Sequence, residues 1–322
     1  MHKLGIDAAD LDRAAEWLRE GRLVALPTET VYGLGADASN PDAVRRIFAA
    51  KGRPADHPVI VHLPDAGSVD GWARDVPEAG RRLAAAFWPG PLTLVFKRGP
   101  RVDDVITGGQ DTVGLRVPAH PVAHALLQRF GGALAAPSAN RFGHVSPTTA
   151  RHVVEEFGDE VEAVIDGGPC AVGLESTIVD LSGGAPRLLR PGMIRQAELE
   201  AVLGRSLDEV GEGEGPRASG RLPSHYAPKA ALTIVAPDAL DGAVGDALAH
   251  GPVAVLARRA PPARRRQLHW QRMSDDSADY ARELYAALRR ADAEAPARIL
   301  VEAVPDAPEW RAVRDRLARA AA

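Results

Sequence analysis

Lys51 and Arg53 flank Gly52 and precede Pro54, so two cations stand one residue apart at a turn. The pattern suits an anionic ligand, because lysine offers phosphate a compact point charge and arginine a planar fork. It also suits a solvated helix end whose cations complement the macrodipole. Lysine usage favours the first reading: Lys3, Lys51, Lys97 and Lys229 are the four lysines among 39 basic residues, and arginine serves almost everywhere else. Arg116 is a second candidate, set in the apolar run Val113-Gly-Leu-Arg-Val117. A buried guanidinium needs a partner, which could be a structural carboxylate or the carboxylate of a ligand. Ser176 and Thr177 interrupt another apolar run, Arg190 ends one before Pro191-Gly192, and Ser138 and Asn140 follow Ala133-Leu-Ala-Ala136. The last pair could bind a nucleotide or carboxylate, or cap the turn that follows.

The elements that must position these groups are readable around residues 23–63. An apolar run, Leu23 to Leu26, ends at Pro27 and hands the backbone to Thr28-Glu29-Thr30. Strand ends of this kind are where α/β proteins place chemistry. Asn40 can cap a helix with Pro41 at its first position, Val44, Ile47 and Phe48 give it an apolar stripe, and Gly52 can end it. Val59 to Leu63 reads as a short strand carrying His62.

PTETVYGLG followed by KGRPADHPVIVHL resembles the Sua5/YrdC/YciO family of L-threonylcarbamoyladenylate synthases. TVGLRVP (112–118), APSANRFGHVSPT (136–148), GLESTIVD (173–180) and LLRPG (188–192) follow in the family's order. HYAP (225–228) and the segment after it resemble the longer, two-domain Sua5 type. The resemblance implies an α/β protein, with a YrdC-like twisted mixed sheet around a large concave cavity and a smaller Rossmann-like C-terminal domain. It implies synthesis of threonylcarbamoyl-AMP and pyrophosphate from L-threonine, bicarbonate and ATP with Mg²⁺, the product passing to a tRNA threonylcarbamoyl transferase complex for t6A37 formation. On the matching positions, Thr30, His62, Arg116, Ser176 and the backbone of Ala136 would meet threonine. Arg53, His57, Thr112, Ser138, Asn140, Ser146, Arg190 and Tyr226 would meet ATP, with Lys51 and Arg53 neutralising charge in catalysis. His57 departs from the asparagine often found there.

A double-stranded RNA-binding or ribosome-maturation factor of the same fold is the rival reading. It needs a basic stripe, whereas the chain through Arg205 is net −4 and the remainder is neutral, so no tight nucleic-acid binding is expected. A related carbamoyl-adenylating domain of hydrogenase maturation would sit in a longer chain with acylphosphatase and zinc-finger segments.

The 322 residues suffice for two domains, and 45% hydrophobic with 25% charged residues is ordinary for a soluble protein. No apolar run approaches the roughly 20 residues of a membrane span. The N-terminus reads as an amphipathic helix with Leu11, Ala15 and Leu18 on one face, not as a signal peptide. One cysteine, Cys170, excludes an internal disulfide and fits a reducing cytoplasm.

Helices are expected near 8–20, 41–51, 77–87, 121–130, 148–157 and 196–203. Strands are expected near 22–26, 58–63, 91–97, 112–117, 132–136, 161–165, 176–181 and 186–190, a surplus that points to a mixed sheet. Residues 1–205 thus form the expected catalytic domain. Residues 206–229, rich in glycine, proline and charge, read as a linker and lid with Tyr226 on it, and ATP would protect residues 215–228 from proteolysis. Residues 230–322 follow a Rossmann-like rhythm: strand 231–236, a helix from Pro237 or Asp238, strands 253–257 and 267–273, a helix capped by Ser277, strand 298–303 and a terminal helix.

Other signals carry less. Gly211-Glu-Gly213-Glu-Gly215 follows no strand and would repel phosphate. Arg258, Arg259, Arg264, Arg265 and Arg266 read as a solvated loop. His120 and His124 have zinc-pair spacing without a third ligand, Cys170 has no adjacent base, and no Walker A motif is present.

Overall fold

The computed structural model describes residues 1–211, 214–222, 224–261 and 265–322. Gly213 of the acidic glycine run and Arg264 of the arginine cluster lie outside the described residues. Two compact units emerge. The first comprises Met1–Phe142, Pro147–Ala171 and Glu175–Arg221, and the second Gly143–Ser146, Val172–Leu174 and Leu222–Ala322.

Among the described residues, the first unit has a 12-stranded mixed sheet. Its strands are β1 (His2–Leu4), β2 (Val24–Leu26), β3 (Gly33–Asp37), β4 (Ile60–His62), β5 (Ala73–Arg74), β6 (Leu92–Arg98), β7 (Thr112–Arg116), β8 (Leu134–Ala135), β9 (Ala163–Ile165), β10 (Thr177–Asp180), β11 (Arg187–Arg190) and β12 (Asp208–Glu209). Their order is β1-β9-β2-β3-β8-β4-β7-β6-β10-β11-β12, with β5 paired to β6. Its helices are α1 (Ala8–Arg19), α2 (Pro41–Lys51), α3 (Glu78–Phe87), α4 (Asp104–Thr107), α5 (Pro121–Phe130), α6 (Ala150–Phe157) and α7 (Gln196–Leu203). The mixed sheet is the architecture expected from the surplus of strands.

Helix α2 forms as its sequence dictates. The Asn40 side chain accepts the Asp42 and Ala43 N–H groups, Pro41 takes the first position, and Gly52 ends the helix at φ +61°. Val44, Ile47 and Phe48 turn into a core with Leu34, Val61, Leu94 and Leu115, each burial stabilising by about 1.5–3 kcal/mol. Lys51 therefore leaves the last turn of a firmly anchored helix. Strands β4 and β7 run parallel with His62 opposite Arg116, so both side chains belong to the C-terminal ends of neighbouring strands. Antiparallel β6 and then parallel β10 continue the sheet and bring Ser176, just before β10, alongside.

Several boundaries differ from the sequence reading. His2–Leu4 is an unforeseen strand paired with β9, while α1 starts where expected, after Asp7, whose side chain accepts the Asp10 N–H. Gly33-Leu-Gly-Ala-Asp37 has no β-branched residue to signal a strand, yet β3 pairs with both β2 and β8. A Cβ on Gly35 would lie 2.8 Å from Leu26 Cδ2 and 3.0 Å from the Val24 carbonyl, so the close pairing requires glycine. β5, α4 and a 3₁₀ turn at Ala66–Gly71 were also unforeseen, and β12 adds a strand within the expected linker.

The second unit holds an all-parallel sheet of β13 (Leu232–Val235), β14 (Val253–Ala257), β15 (Leu268–Arg272) and β16 (Arg298–Glu302), in the order β13-β16-β14-β15. Its helices are α8 (Leu240–Leu248), α9 (Ser277–Ala293) and α10 (Arg311–Ala320). β14 is buried throughout, as the uninterrupted VAVLA run requires in a parallel sheet. α8 starts at Leu240 rather than at Pro237 or Asp238. Asp276, not Ser277, caps α9, because its carboxylate accepts both the Ala278 and Asp279 N–H groups. No helix of the described residues is long and apolar enough to cross a membrane.

Candidate active site

Arg116 is 4% exposed and ties three elements together. It donates from Nη2 to Glu29 Oε1 at 2.6 Å, from Nη1 to Thr30 Oγ1 at 2.8 Å and from Nε to the Gly90 carbonyl at 3.2 Å. Glu29 Oε2 accepts the Ala119 N–H at 3.0 Å, so both carboxylate oxygens are engaged. The structural ion pair is thus present, and three of the five guanidinium N–H groups are used among the described residues. The remaining two can still fork a ligand carboxylate.

His62, 3% exposed, stands beside this pair, and its Nδ1 has no hydrogen-bond partner among the described residues. Burial, reinforced by the Arg116 charge, pushes its pKa from 6.5 down to about 3. The imidazole is therefore neutral near pH 7, with one buried nitrogen available to a ligand. The native state binds fewer protons than the unfolded chain between about pH 3 and 6.5, so stability is lost as pH falls through that window. Urea midpoints measured across it should fall on acidification, and His62→Asn should flatten the slope; an unchanged slope would remove His62 from the acid response.

Ser176 is held among hydroxyl and guanidinium groups. Its Oγ lies 2.7 Å from Thr93 Oγ1 and accepts Arg190 Nη2 at 3.2 Å, while its carbonyl accepts Arg190 Nε and Nη2 at 3.1 and 2.9 Å. Arg190 continues from Nη1 to the Ser219 carbonyl at 2.7 Å, and Arg53 Nη2 donates to the Pro58 carbonyl at 2.7 Å and to Ser219 Oγ at 3.3 Å. Ser219 thus meets both arginines assigned to the nucleotide. Neighbouring Arg217 is pinned by Gln110 and the Gly108 carbonyl. This strap and Pro58, Ile60, Thr93, Thr112 and Gly114 line a partly open pocket of about 20 Å³, room for a water molecule but not for a nucleotide.

Lys51 is 2% exposed, and its Nζ donates to the carbonyls of Ser138 and Asn140. It clips the end of α2 to the segment containing both polar candidates, and the Lys51 carbonyl in turn accepts the Phe142 N–H. Burial first, then the Arg53 charge, holds its pKa well below the lysine range. His57, whose pKa is lowered by burial and by Arg53, sets its ring edge-on to Phe142. The Ala136 N–H is committed to the Ile60 carbonyl, so of its backbone groups the carbonyl is the one that can meet a ligand among the described residues. Thr112 begins β7, about 13 Å along the strand from Arg116, so these two candidates occupy opposite ends of one strand.

Ser146 and Tyr226 belong to the second unit and are fully buried there. Tyr226 adopts a left-handed backbone (φ +63°), stacks on Tyr285 at 5.7 Å and lies under the Arg316 guanidinium at 5.4 Å. These are the contacts of a side chain that anchors its domain. Cys170 is buried, and burial pushes its thiol up to about 12, leaving it protonated. His120 accepts the Val122 N–H at the start of α5. Arg259 pairs with Asp241 and covers Trp270, and Arg258 lies over Trp310.

The profile of a family that groups Sua5, YciO and YrdC, described as telomere recombination, matches residues 16–192. The chain belongs to the Sua5/YciO/YrdC family. A second profile, the C-terminal domain of threonylcarbamoyl-AMP synthase, matches residues 194–322 and assigns the chain to the longer Sua5 type. A Bacillus subtilis threonylcarbamoyl-AMP synthase is 37% identical over 99% of this chain and 95% of that protein. A Pyrococcus abyssi threonylcarbamoyl-AMP synthase is 47% identical over 69% of this chain, a match spanning 66% of that protein. The crystal structure of P. abyssi Sua5 complexed with L-threonine is 39% identical over 99% of this chain and 97% of that one, with a TM-score of 0.92. Escherichia coli YciO shares the fold over 59% of this chain, with 24% identity and a TM-score of 0.52.

Sequence reasoning missed Glu29, Thr93 and Ser219. Glu29 had a signal: a buried arginine demands an anion, and an acid between two threonines at a strand end is a natural supplier. Thr93 sits in an apolar run with no visible partner. Ser219 lies in a segment with no hydrophobic period.

Proposed function

We propose that the chain makes threonylcarbamoyl-AMP and pyrophosphate from L-threonine, bicarbonate and ATP. The observation that carries this reading is the buried Arg116–Glu29–Thr30 cluster beside neutral His62, in a chain similar over both units to a Sua5 complexed with L-threonine. The two remaining Arg116 N–H groups hold the amino acid's carboxylate, and Thr30 and Ser176 supply hydroxyls. With a pKa of about 3, His62 orients a polar group and is too weak a base to take the ammonium proton.

The deprotonated amine joins bicarbonate with loss of water, giving a carbamate. A carbamate oxygen then attacks the α-phosphorus of ATP, and the bond to pyrophosphate breaks. Neither step requires a protein nucleophile, so positioning and charge neutralisation by Lys51, Arg53 and Arg190 dominate. Among the described residues no three carboxylate, thiol or imidazole groups converge on a metal position, so Mg²⁺ fits as a companion of the ATP phosphates, whose charge it offsets. The mixed anhydride is hydrolytically labile, which calls for a tRNA threonylcarbamoyl transferase that consumes it, in the reducing cytoplasm that a free Cys170 suits. We assign the chemistry to residues 1–205, the linker to 206–229 and an accessory α/β domain to 230–322.

ATP phosphates and the Ser219 strap compete for the same Arg53 and Arg190 donors. A lid closing over nucleotide would be protected by it, whereas a strap displaced from these arginines would become more exposed. ATP should raise deuterium uptake at residues 217–221, and lower uptake would restore the lid.

The functional test incubates the protein with ATP, Mg²⁺, bicarbonate and each amino acid in turn while pyrophosphate and adenylate products are followed. Threonine-specific, bicarbonate-dependent turnover is expected. Pyrophosphate release that ignores bicarbonate or the amino acid's identity would overturn the reading.

A further inference from the structure

We propose that helix α9 is the positioning element for the Ser146 loop, acting through Arg289; this rests on the assignment of Ser146 to ATP. Arg282, Tyr285 and Arg289 are spaced i, i+3, i+7 and so fall on one face of α9. Three pieces of chain remote in sequence meet that face. Gly173 packs so tightly on the helix that a Cβ there would lie 2.4 Å from Arg282 Cα and 2.7 Å from the Ala281 carbonyl. Tyr226 stacks on Tyr285. Arg289 donates from Nη2 to the Val145 carbonyl and from Nε toward the Ser146 carbonyl at 3.5 Å.

The 143–146 segment is held on its other side as well: the Ala227 N–H donates to the Gly143 carbonyl at 2.9 Å, and His144 forms a parallel bridge with Ala227. A guanidinium spanning two successive carbonyls fixes the peptide plane between them, and with it the direction of the fully buried Ser146 side chain. The HYAP segment and α9 thus clamp the loop from two directions. Within the second unit, α9 and the HYAP segment thereby set the backbone geometry at Ser146. Arg289 is a positioning residue, because it touches the loop's backbone and not the reacting atoms.

The test compares the wild type with Arg289→Met, which keeps the stem and removes every donor, and Arg289→Lys, which keeps the charge and one donor direction. Arg289→Met should raise the ATP KM and the ATP Kd measured by calorimetry roughly tenfold, the loss of a charge-assisted hydrogen bond, with the threonine KM unchanged. Arg289→Lys should recover part of the ATP affinity, and it also serves if the methionine variant does not fold. An unaltered ATP KM, or equal losses for both substrates accompanied only by a lower melting temperature, would reduce Arg289 to a structural contact. A wild type that releases no threonine-dependent pyrophosphate would overturn the functional reading instead, and ATP affinity by calorimetry would then decide for Arg289 alone.

Discussion

Lys51→Met is expected to lower turnover roughly a hundredfold to a thousandfold, the usual effect of removing one preorganised electrostatic contact, while changing the threonine KM far less. Two contributions combine. The ammonium holds the carbonyls of Ser138 and Asn140 in place, so its loss loosens the segment carrying both polar candidates. Its third N–H is uncommitted among the described residues and can face a phosphate. The methionine variant should also be less stable, because two buried carbonyls lose their donor at about 1–3 kcal/mol each. Near wild-type turnover in folded Lys51→Met would remove Lys51 from catalysis.

Proton linkage gives an independent check on Lys51. The proposed role requires the cation, and burial beside Arg53 holds its pKa well below the ordinary 10.5. As pH rises through that lowered value the charge is lost, so turnover should show an alkaline fall starting well below pH 10.5. Lys51→Arg, which cannot lose its proton, should abolish that limb even if its absolute rate is low. An alkaline limb identical in the two proteins would assign it to another group.

What the sequence revealed depended on whether the physics was local. The caps of α2 were legible because Asn40, Pro41 and Gly52 act on their own turn, and that alone located Lys51. Arg116 was legible as a buried charge because its apolar neighbours fix its environment. Glu29 was not, since what commits it is a strand 87 residues away. β3 escaped because its glycines are there for close approach to Leu26 and Val24, a tertiary demand that overrides strand propensity. The 206–229 segment read as featureless because its docking uses the Ser219 hydroxyl and backbone carbonyls, which leave no hydrophobic period. The one-residue error at the start of α9 is a competition between adjacent cappers, won by the Asp276 carboxylate over the Ser277 hydroxyl. Ser146 was singled out by its motif, which gave no hint that an arginine 143 residues later would hold its carbonyl.

Arg116→Lys should raise the threonine KM roughly tenfold to a hundredfold, since hydrogen bonds to charged groups contribute about 1.5–3 kcal/mol and an ammonium cannot reproduce a planar fork. ATP affinity should stay near wild type, because the nucleotide candidates Arg53, Arg190 and Thr112 are bonded to other partners or lie at the far end of β7. Glu29 separates the structural from the substrate role. If Arg116 served only its ion pair, Glu29→Gln would weaken stability and leave the threonine KM alone. If the pair presents the guanidinium to substrate, Glu29→Gln removes the charge and can keep only one of the two accepted hydrogen bonds, so Arg116 is freed to lean toward any other anion and the threonine KM should change with little alteration of the ATP KM. Steady-state KM values for both substrates, measured on variants whose melting temperatures are known, decide the matter. Equal losses for threonine and ATP in Arg116→Lys would take Arg116 out of the amino-acid pocket and leave it a brace between β7 and the Glu29 turn.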